Sequence, residues 1–419
     1  MLKEVRSLDP VRHRYWHVRH LARTAGEEIA INVENWFADQ GYRRRLVILD
    51  DIFPHLLSAF RIAEYNAYLA AYQNALVYST AASFALIGEQ RSFQEVVAEY
   101  VGCYPQFRGR ARAIDERRSL QGQPAYFVFL QNARNFMSLL ERYQMPFVFT
   151  LYPGGGFQLD QEDSDKTLER VCSLPNLHKV IVTQKITYEY LMHRQLLDPE
   201  KVEFIYGGVL PVGRLTERLP AKKHFRQDKD TFDICFVAYK YIPGAIDKGY
   251  DVFLAVAKLL ANTHSDIRFH VVGPFDETDL DVSGLGGRLK FYGAQLTDFF
   301  PEFYSRMDII LSPNIPFLLQ PGAFDGFPTG CCVEAALCGV AVFCTDPLHQ
   351  NITFQEGEEL VIIPRDATEI SGIIDQYYHC PDDLYRLARC GQAAFQEVFA
   401  LEAQMKPRLR ILTECLVAK

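Results

Sequence analysis

The chain has little of what would mark a membrane, nucleic-acid or disulfide-built protein. It has no run of about 18 apolar residues, so no transmembrane helix is expected. It has no basic excess: 44 Lys and Arg stand against 52 Asp and Glu, a formal net charge of −8. A dedicated nucleic-acid binder would carry a basic domain, so no nucleic-acid partner is expected. The opening residues Met1 to Asp9 hold no apolar core of the kind a secretory signal needs. There are ten cysteines but no Cys-x-x-Cys pair, and only Cys331 and Cys332 are adjacent. Thiols scattered among apolar residues read as small buried hydrophobes in a reducing, cytoplasmic setting, not as a disulfide or zinc framework. Low-complexity tracts and internal repeats are absent as well.

What is present is a long alternation of strand and helix signals. A chain of 419 residues exceeds one ordinary core and predicts at least two domains. Short apolar runs begin with Leu46–Leu49 and continue at Ala75–Tyr78, Tyr126–Leu130, Phe147–Leu151, Lys179–Thr183 and Val202–Tyr206. Helix-like stretches separate them, the first from Pro54 to about Ala70. The pattern breaks between Gly207 and Asp230, a Gly- and Pro-bearing stretch ending in a charged run. It reads as a linker.

A second alternation follows: Phe232–Val237, Ile267–Val272, Leu289–Tyr292, Asp308–Ser312 and Val340–Phe343. The expected organisation is a first α/β domain over 1–210, a linker over 211–230, a second α/β domain over 231–395 and a closing helical segment over 396–419 that returns to the first domain. Short apolar strands between helices predict parallel sheets covered on both faces. Two such doubly wound, Rossmann-like domains would face each other across a cleft lined by the carboxyl ends of their strands.

The first forty residues differ from the rest. Arg6, Arg12, Arg14, Arg19 and Arg23, with His13, His17 and His20, make a basic, helix-like segment. It reads as a solvated helix face or, more sharply, as a peripheral contact with an anionic membrane surface or a partner.

The most informative stretch is Asp325-Gly-Phe-Pro-Thr-Gly-Cys-Cys-Val-Glu334. A loop with Gly326, Phe327, Pro328, Thr329 and Gly330 enters a predicted helix over Cys331–Cys338, with Gly339 as its C-terminal stop. Amides at such a helix start are unpaired and form an anion site suited to a diphosphate. Asp325 stands at the loop's entrance and Glu334 one turn into the helix. A carboxylate there can bind the vicinal hydroxyls of a sugar or ribose.

This stretch and its surroundings resemble the nucleotide-binding domain of the family 4 retaining glycosyltransferases. Lys248-Gly-Tyr-Asp251, Val272-Gly273, Phe291-Tyr-Gly293, the run from Tyr304 to Pro313, and Glu356 to Asp366 are similar to that family's motifs and occur in the same order. The resemblance implies a GT-B architecture and a nucleotide-diphosphate sugar as donor substrate, with no cofactor and no metal. It implies that Lys248 neutralises the diphosphate with help from Lys240, that Gly273 lies against the donor, that Glu334 holds the ribose and that Asp325 contacts the sugar. Eight residues separate Asp325 from Glu334, one more than the family's spacing. Tyr152 replaces the family's usual histidine, and the following Gly154 and Gly155 would bring backbone to the donor. Asp50 and Asp51, with Ser58 and Arg61, replace the family's early Gly-Gly loop, where an acceptor binds. The implied acceptor is a glycan or a lipid-linked molecule on the inner membrane face. A degenerate relative that binds without transfer is the competing reading. An epimerase or phosphorylase would share the architecture. A dehydrogenase is disfavoured, because Gly284-Leu-Gly-Gly287 does not extend to Gly-x-Gly-x-x-Gly.

Overall fold

The computed structural model describes residues 44–114, 120 and 122–417. The basic segment from Arg6 to Arg23 lies outside the described residues.

The first domain is built on seven parallel strands: β1 (Val47–Asp50), β2 (Leu76–Ser79), β3 (Ala111–Ala113), β4 (Ala125–Val128), β5 (Phe147–Leu151), β6 (Leu177–Val182) and β7 (Val202–Phe204), in the order 3-2-1-4-5-6-7. Helices α1 (Ala59–Ala71), α2 (Phe93–Cys103), α3 (Leu130–Arg142), α4 (Glu162–Cys172) and α5 (Lys185–His193) connect them. Residues alternate along each strand. Val47, Leu49, Phe127 and Phe149 face one layer with Phe136, Leu140 and Leu168. Leu46, Ile48, Tyr126 and Val148 face the other with Ile62, Tyr65 and Leu69 of α1. Phe127 stacks on Phe147 and Phe149 at centroid distances of 5.6 and 5.5 Å, so these rings are core.

The predicted helix from Pro54 begins only at Ala59. The reason is Asp50, at zero exposure. Its carboxylate accepts the amides of Ile52 and Phe53 at 2.8 and 2.6 Å and the Tyr65 hydroxyl at 2.8 Å. That wraps the chain into a turn before it can become helical.

A short α6 (Val212–Thr216) lies in the connector. The charged run after it is held on the second domain, where Lys229 reaches Asp233 at 2.5 Å and Asp308 at 2.6 Å. The second domain has six parallel strands: β8 (Phe232–Val237), β9 (Ile267–Val272), β10 (Leu289–Phe291), β11 (Ile309–Ser312), β12 (Ala341–Cys344) and β13 (Val361–Ile362), in the order 10-9-8-11-12-13. Its helices are α7 (Tyr250–Thr263), α8 (Phe300–Tyr304), α9 (Gly330–Leu337), α10 (Ala367–His379) and α11 (Pro381–Phe399). Ile234, Phe236, Ile309 and Phe343 pack toward α7 and α10. Cys235, Ile310, Val342 and Cys344 pack toward α8, α9 and α11. Cys332 and Cys338 join that layer as buried free thiols.

The closing helical segment expected over 396–419 does not run unbroken. It breaks at Ala400, whose ψ is 134°, and continues as α12 (Leu401–Val417). At this break the chain leaves the second domain. Met405, Ile411 and Leu412 of α12 join the core layer under α1. Both sheets thus have helices on both faces, and the expected pair of doubly wound domains facing a cleft is what the chain forms.

Candidate donor site between the domains

The loops at the carboxyl edges of the two sheets meet, and the second domain supplies most of the chemistry. Lys248 ends a tight turn before α7 and is 9% exposed. Its Nζ donates to both oxygens of Asp325, at 2.8 and 2.6 Å. Asn314, just beyond β11, donates to the same carboxylate at 2.7 Å and accepts from Ser312 at 2.9 Å. Burial works against the Lys248 ammonium, but Asp325 opposite it prevails, and its pKa rises above the ordinary lysine value. Asp247 lies alongside, 3% exposed, with its nearest carboxylate oxygen 3.8 Å from the Lys248 Nζ. Among the described residues neither of its oxygens has a hydrogen-bond partner. Burial raises its pKa, Lys248 lowers it and Asp325 raises it further.

Glu334 is one turn into α9. Its carboxylate makes no hydrogen bond among the described residues, and burial alone pushes its pKa from 4.5 up to about 7. It opens into a cavity of ≈ 190 Å³ lined by Val237, Ala238, Gly273, Leu296 and Thr297. Leu56, Leu57 and Ala59 close that cavity from the first domain. Gly273 is required here: its φ is 137°, and a Cβ would lie 2.0 Å from the Ala238 carbonyl oxygen. Thr329 is the residue before α9, and its side chain does not cap the helix. The amides of Gly330, Cys331 and Cys332 therefore have no acceptor among the described residues, as a helix start leaves them.

The loop ahead of α9 departs from the expectation of unpaired amides. Gln184, 3% exposed on the first domain, donates to the Phe327 carbonyl at 3.2 Å and accepts from the Phe327 amide at 3.1 Å. Gly326 packs beside Gln184 and Pro153, and Phe327 and Pro328 are buried. Of the loop amides, that of Phe327 is thus taken up by Gln184. Asp325, Gly326, Phe327 and Thr329 line a second, smaller cavity with Asn314, Thr345 and Asp346.

The remaining predicted residues have the following partners. Lys240 pairs with Asp279 at 2.6 Å and takes no part in the Lys248–Asp325 pair. Tyr152 turns into the first domain, where its hydroxyl donates to Glu64 at 3.0 Å. Gly154 and Gly155 form a left-handed turn, and Gly155 is pressed against Phe129, where a Cβ would lie 2.4 Å from the ring. Arg61 reaches Asp50 at 3.0 Å and Asp51 at 3.1 Å, with its guanidinium over the Phe129 ring at 4.8 Å. The sequence reading missed Asn314, Asp247 and Gln184. Asn314 follows the Ser-Pro that ends β11, and Asp247 directly precedes Lys248; proximity to those motifs was the available signal. Gln184 carried none.

This arrangement, two parallel α/β domains with a cavity at their facing edges, is the GT-B glycosyltransferase fold. Residues 233–379 match the family described as "Glycosyl transferases group 1". No curated protein matches the chain. Among solved structures, HepE of Anabaena in complex with UDP and glucose is similar at 17% identity and a TM-score of 0.60, covering 89% of this chain and 100% of that one. Sucrose-phosphate synthase from Thermosynechococcus elongatus is similar at 16% identity and a TM-score of 0.58, over 88% and 99%. A glycosyltransferase from Rickettsia africae is similar at 14% identity and a TM-score of 0.59, over 90% and 100%. At such identities the likeness is one of fold.

Proposed function

We propose that the protein transfers a sugar from a nucleotide-diphosphate donor, with retention and without a metal, to a glycan or lipid-linked acceptor. The observation that carries this reading is Glu334: a carboxylate with no partner, opening into an interdomain cavity beside free helix amides. An unpaired, half-buried carboxylate on a cavity wall is where a ligand's hydroxyls can bind. Two ribose hydroxyls would do so, and the diphosphate would lie on the Gly330–Cys332 amides. Lys248 would exchange Asp325 for the leaving phosphate or bridge the two, and Asp325 with Asn314 would then meet the sugar hydroxyls. Displacement on the front face needs charge stabilisation at the leaving group more than a protein base, and Lys248 and the helix start supply it. The clamp between Gln184 and Phe327 would keep water out while the donor is activated. The basic segment near the N-terminus would place the enzyme on the cytoplasmic membrane face, close to a lipid-linked acceptor.

Calorimetry against UDP, ADP, GDP and CDP, followed by hydrolysis of the matching sugar nucleotides, tests this reading. Saturable binding of one nucleoside diphosphate and slow donor hydrolysis are expected, and NMR of the released or transferred sugar reports its anomeric configuration. Absence of any nucleotide binding would sink the reading. Binding with no turnover on any donor would mark a degenerate, binding-only relative, a reading favoured by the inward turn of Tyr152.

A further inference from the structure

The edge of the second domain opposite the donor cavity carries a separate group of metal-ligating side chains. Helix α7 runs back from the carboxyl edge of the sheet and ends at Thr263, so His264 emerges at the amino edge. Helix α10 runs the same way and brings Asp375 and His379 there, four residues apart on one face. His264 Nε2 is 2.7 Å from Asp375 Oδ1, and His379 Nε2 is 3.6 Å from the same oxygen. One ligand atom from each of the three residues lies within 4.8 Å of the others.

We propose that His264, Asp375 and His379 form a binding site for a divalent transition-metal ion that ties the end of α7 to the end of α10. A four-coordinate ion with bonds of about 2.0–2.1 Å sets its ligand atoms about 3.4 Å apart. The spacings of 2.7 and 3.6 Å bracket that value, so a small rotation of two exposed side chains completes the triangle. The third group needs no adjustment. The backbone of His264 is held by its own amide on Leu260 at 2.9 Å and by Arg288 on its carbonyl at 3.0 Å. Its ring rests on Tyr378 at 4.1 Å, and that tyrosine is fixed by two contacts to Asp266, at 2.9 and 3.0 Å. His264 is thus a pre-positioned ligand, with a side chain 11% exposed, while Asp375 and His379 are open to solvent at 46% and 62%. The outward side leaves room for water as a further ligand. Two imidazoles and a carboxylate suit zinc, nickel or copper, not magnesium or calcium.

The test is titration of the full chain with Ni²⁺, followed by calorimetry and by thermal melting with and without the ion. Nickel is chosen because Cys103, Cys380 and Cys390 are exposed and a softer probe would favour thiols. Wild type is expected to bind one equivalent and to melt higher with the ion. Asp375→Asn and His379→Ala, both at exposed positions, are expected to weaken binding more than the roughly 10–100-fold cost of losing a supporting partner. They should also remove the thermal shift while melting like wild type in EDTA. Cys380→Ala should leave binding unchanged. Unaltered affinity in Asp375→Asn or His379→Ala overturns the proposal. So does loss of binding in Cys380→Ala, or a wild type that does not saturate.

Discussion

Glu334→Gln should make the protein more stable and less able to bind its nucleotide, and pH separates the two effects. In the folded chain burial pushes the carboxyl up to about 7, against 4.5 when unfolded. Below about pH 4.5 the group is protonated in both states and costs nothing. Between 4.5 and 7 the unfolded chain gives up its proton first, so stability falls as pH rises, and above 7 the loss is complete. A shift of that size corresponds to about 3 kcal/mol. Glutamine keeps the shape and removes the titration. Its melting temperature should match wild type at pH 4.5 and exceed it by several degrees at pH 8.5. Nucleotide affinity should move the other way. Hydrogen bonds to a charged acceptor contribute about 1.5–3 kcal/mol, so the variant should bind about 10- to 150-fold more weakly at pH 8.5. That ratio should shrink toward one at pH 5.5, where the wild-type carboxyl is itself neutral. Scanning calorimetry and isothermal titration across this range, with the tightest-binding nucleoside diphosphate, give both quantities. An unchanged melting curve at pH 8.5 together with unchanged affinity would refute the reasoning.

Other outcomes follow from the same geometry. Lys248→Ala should lower the donor-dependent rate by about 10- to 150-fold through loss of a charge-assisted contact, and steady-state kinetics within twofold of wild type would remove Lys248 from the site. Gln184→Ala loses two neutral hydrogen bonds to Phe327, costing about 1–3 kcal/mol, and calorimetric unfolding should register it. Arg408, with no exposure, stands 3.8 Å from the equally buried Glu64. Arg408→Met alone should destabilise by about 3–5 kcal/mol, because it leaves that buried carboxylate without a counter-charge, and the double variant with Glu64→Gln should recover much of the loss. Equal melting temperatures for the single and double variants would argue against the pair.

The second domain was the more legible half, for a physical reason. Its site is written in contiguous residues: Lys248 stands before α7 with one residue between them, and Asp325 to Glu334 run through one loop into one helix. Local chemistry of that kind survives in sequence. The first domain solves its problems with partners far apart in the chain. Tyr152 finds Glu64, 88 positions away, and Gln184 finds Phe327, 143 positions away. No periodicity announces either pairing. The edge strand β3 was also unread, since three residues, none of them buried, give no apolar run. The helix break at Ala400 was missed because the apolar repeat on either side of it keeps the same spacing. Asp325 was expected to contact the sugar, and its partners Lys248 and Asn314 come from two separate loops.

The passage of the chain at Ala400 has a mechanical consequence. The domains are joined twice, once through the connector after β7 and once where α11 gives way to α12. A body attached to another at one point can swivel freely. Attached at two, it turns only about the line through both, as a door turns on its hinges. An opening that admits a donor between Glu334 and the Leu56–Leu57 wall would then be a rotation about that line. Cutting the chain between Phe399 and Leu401 would release the door from its second hinge while leaving the donor-binding loops intact.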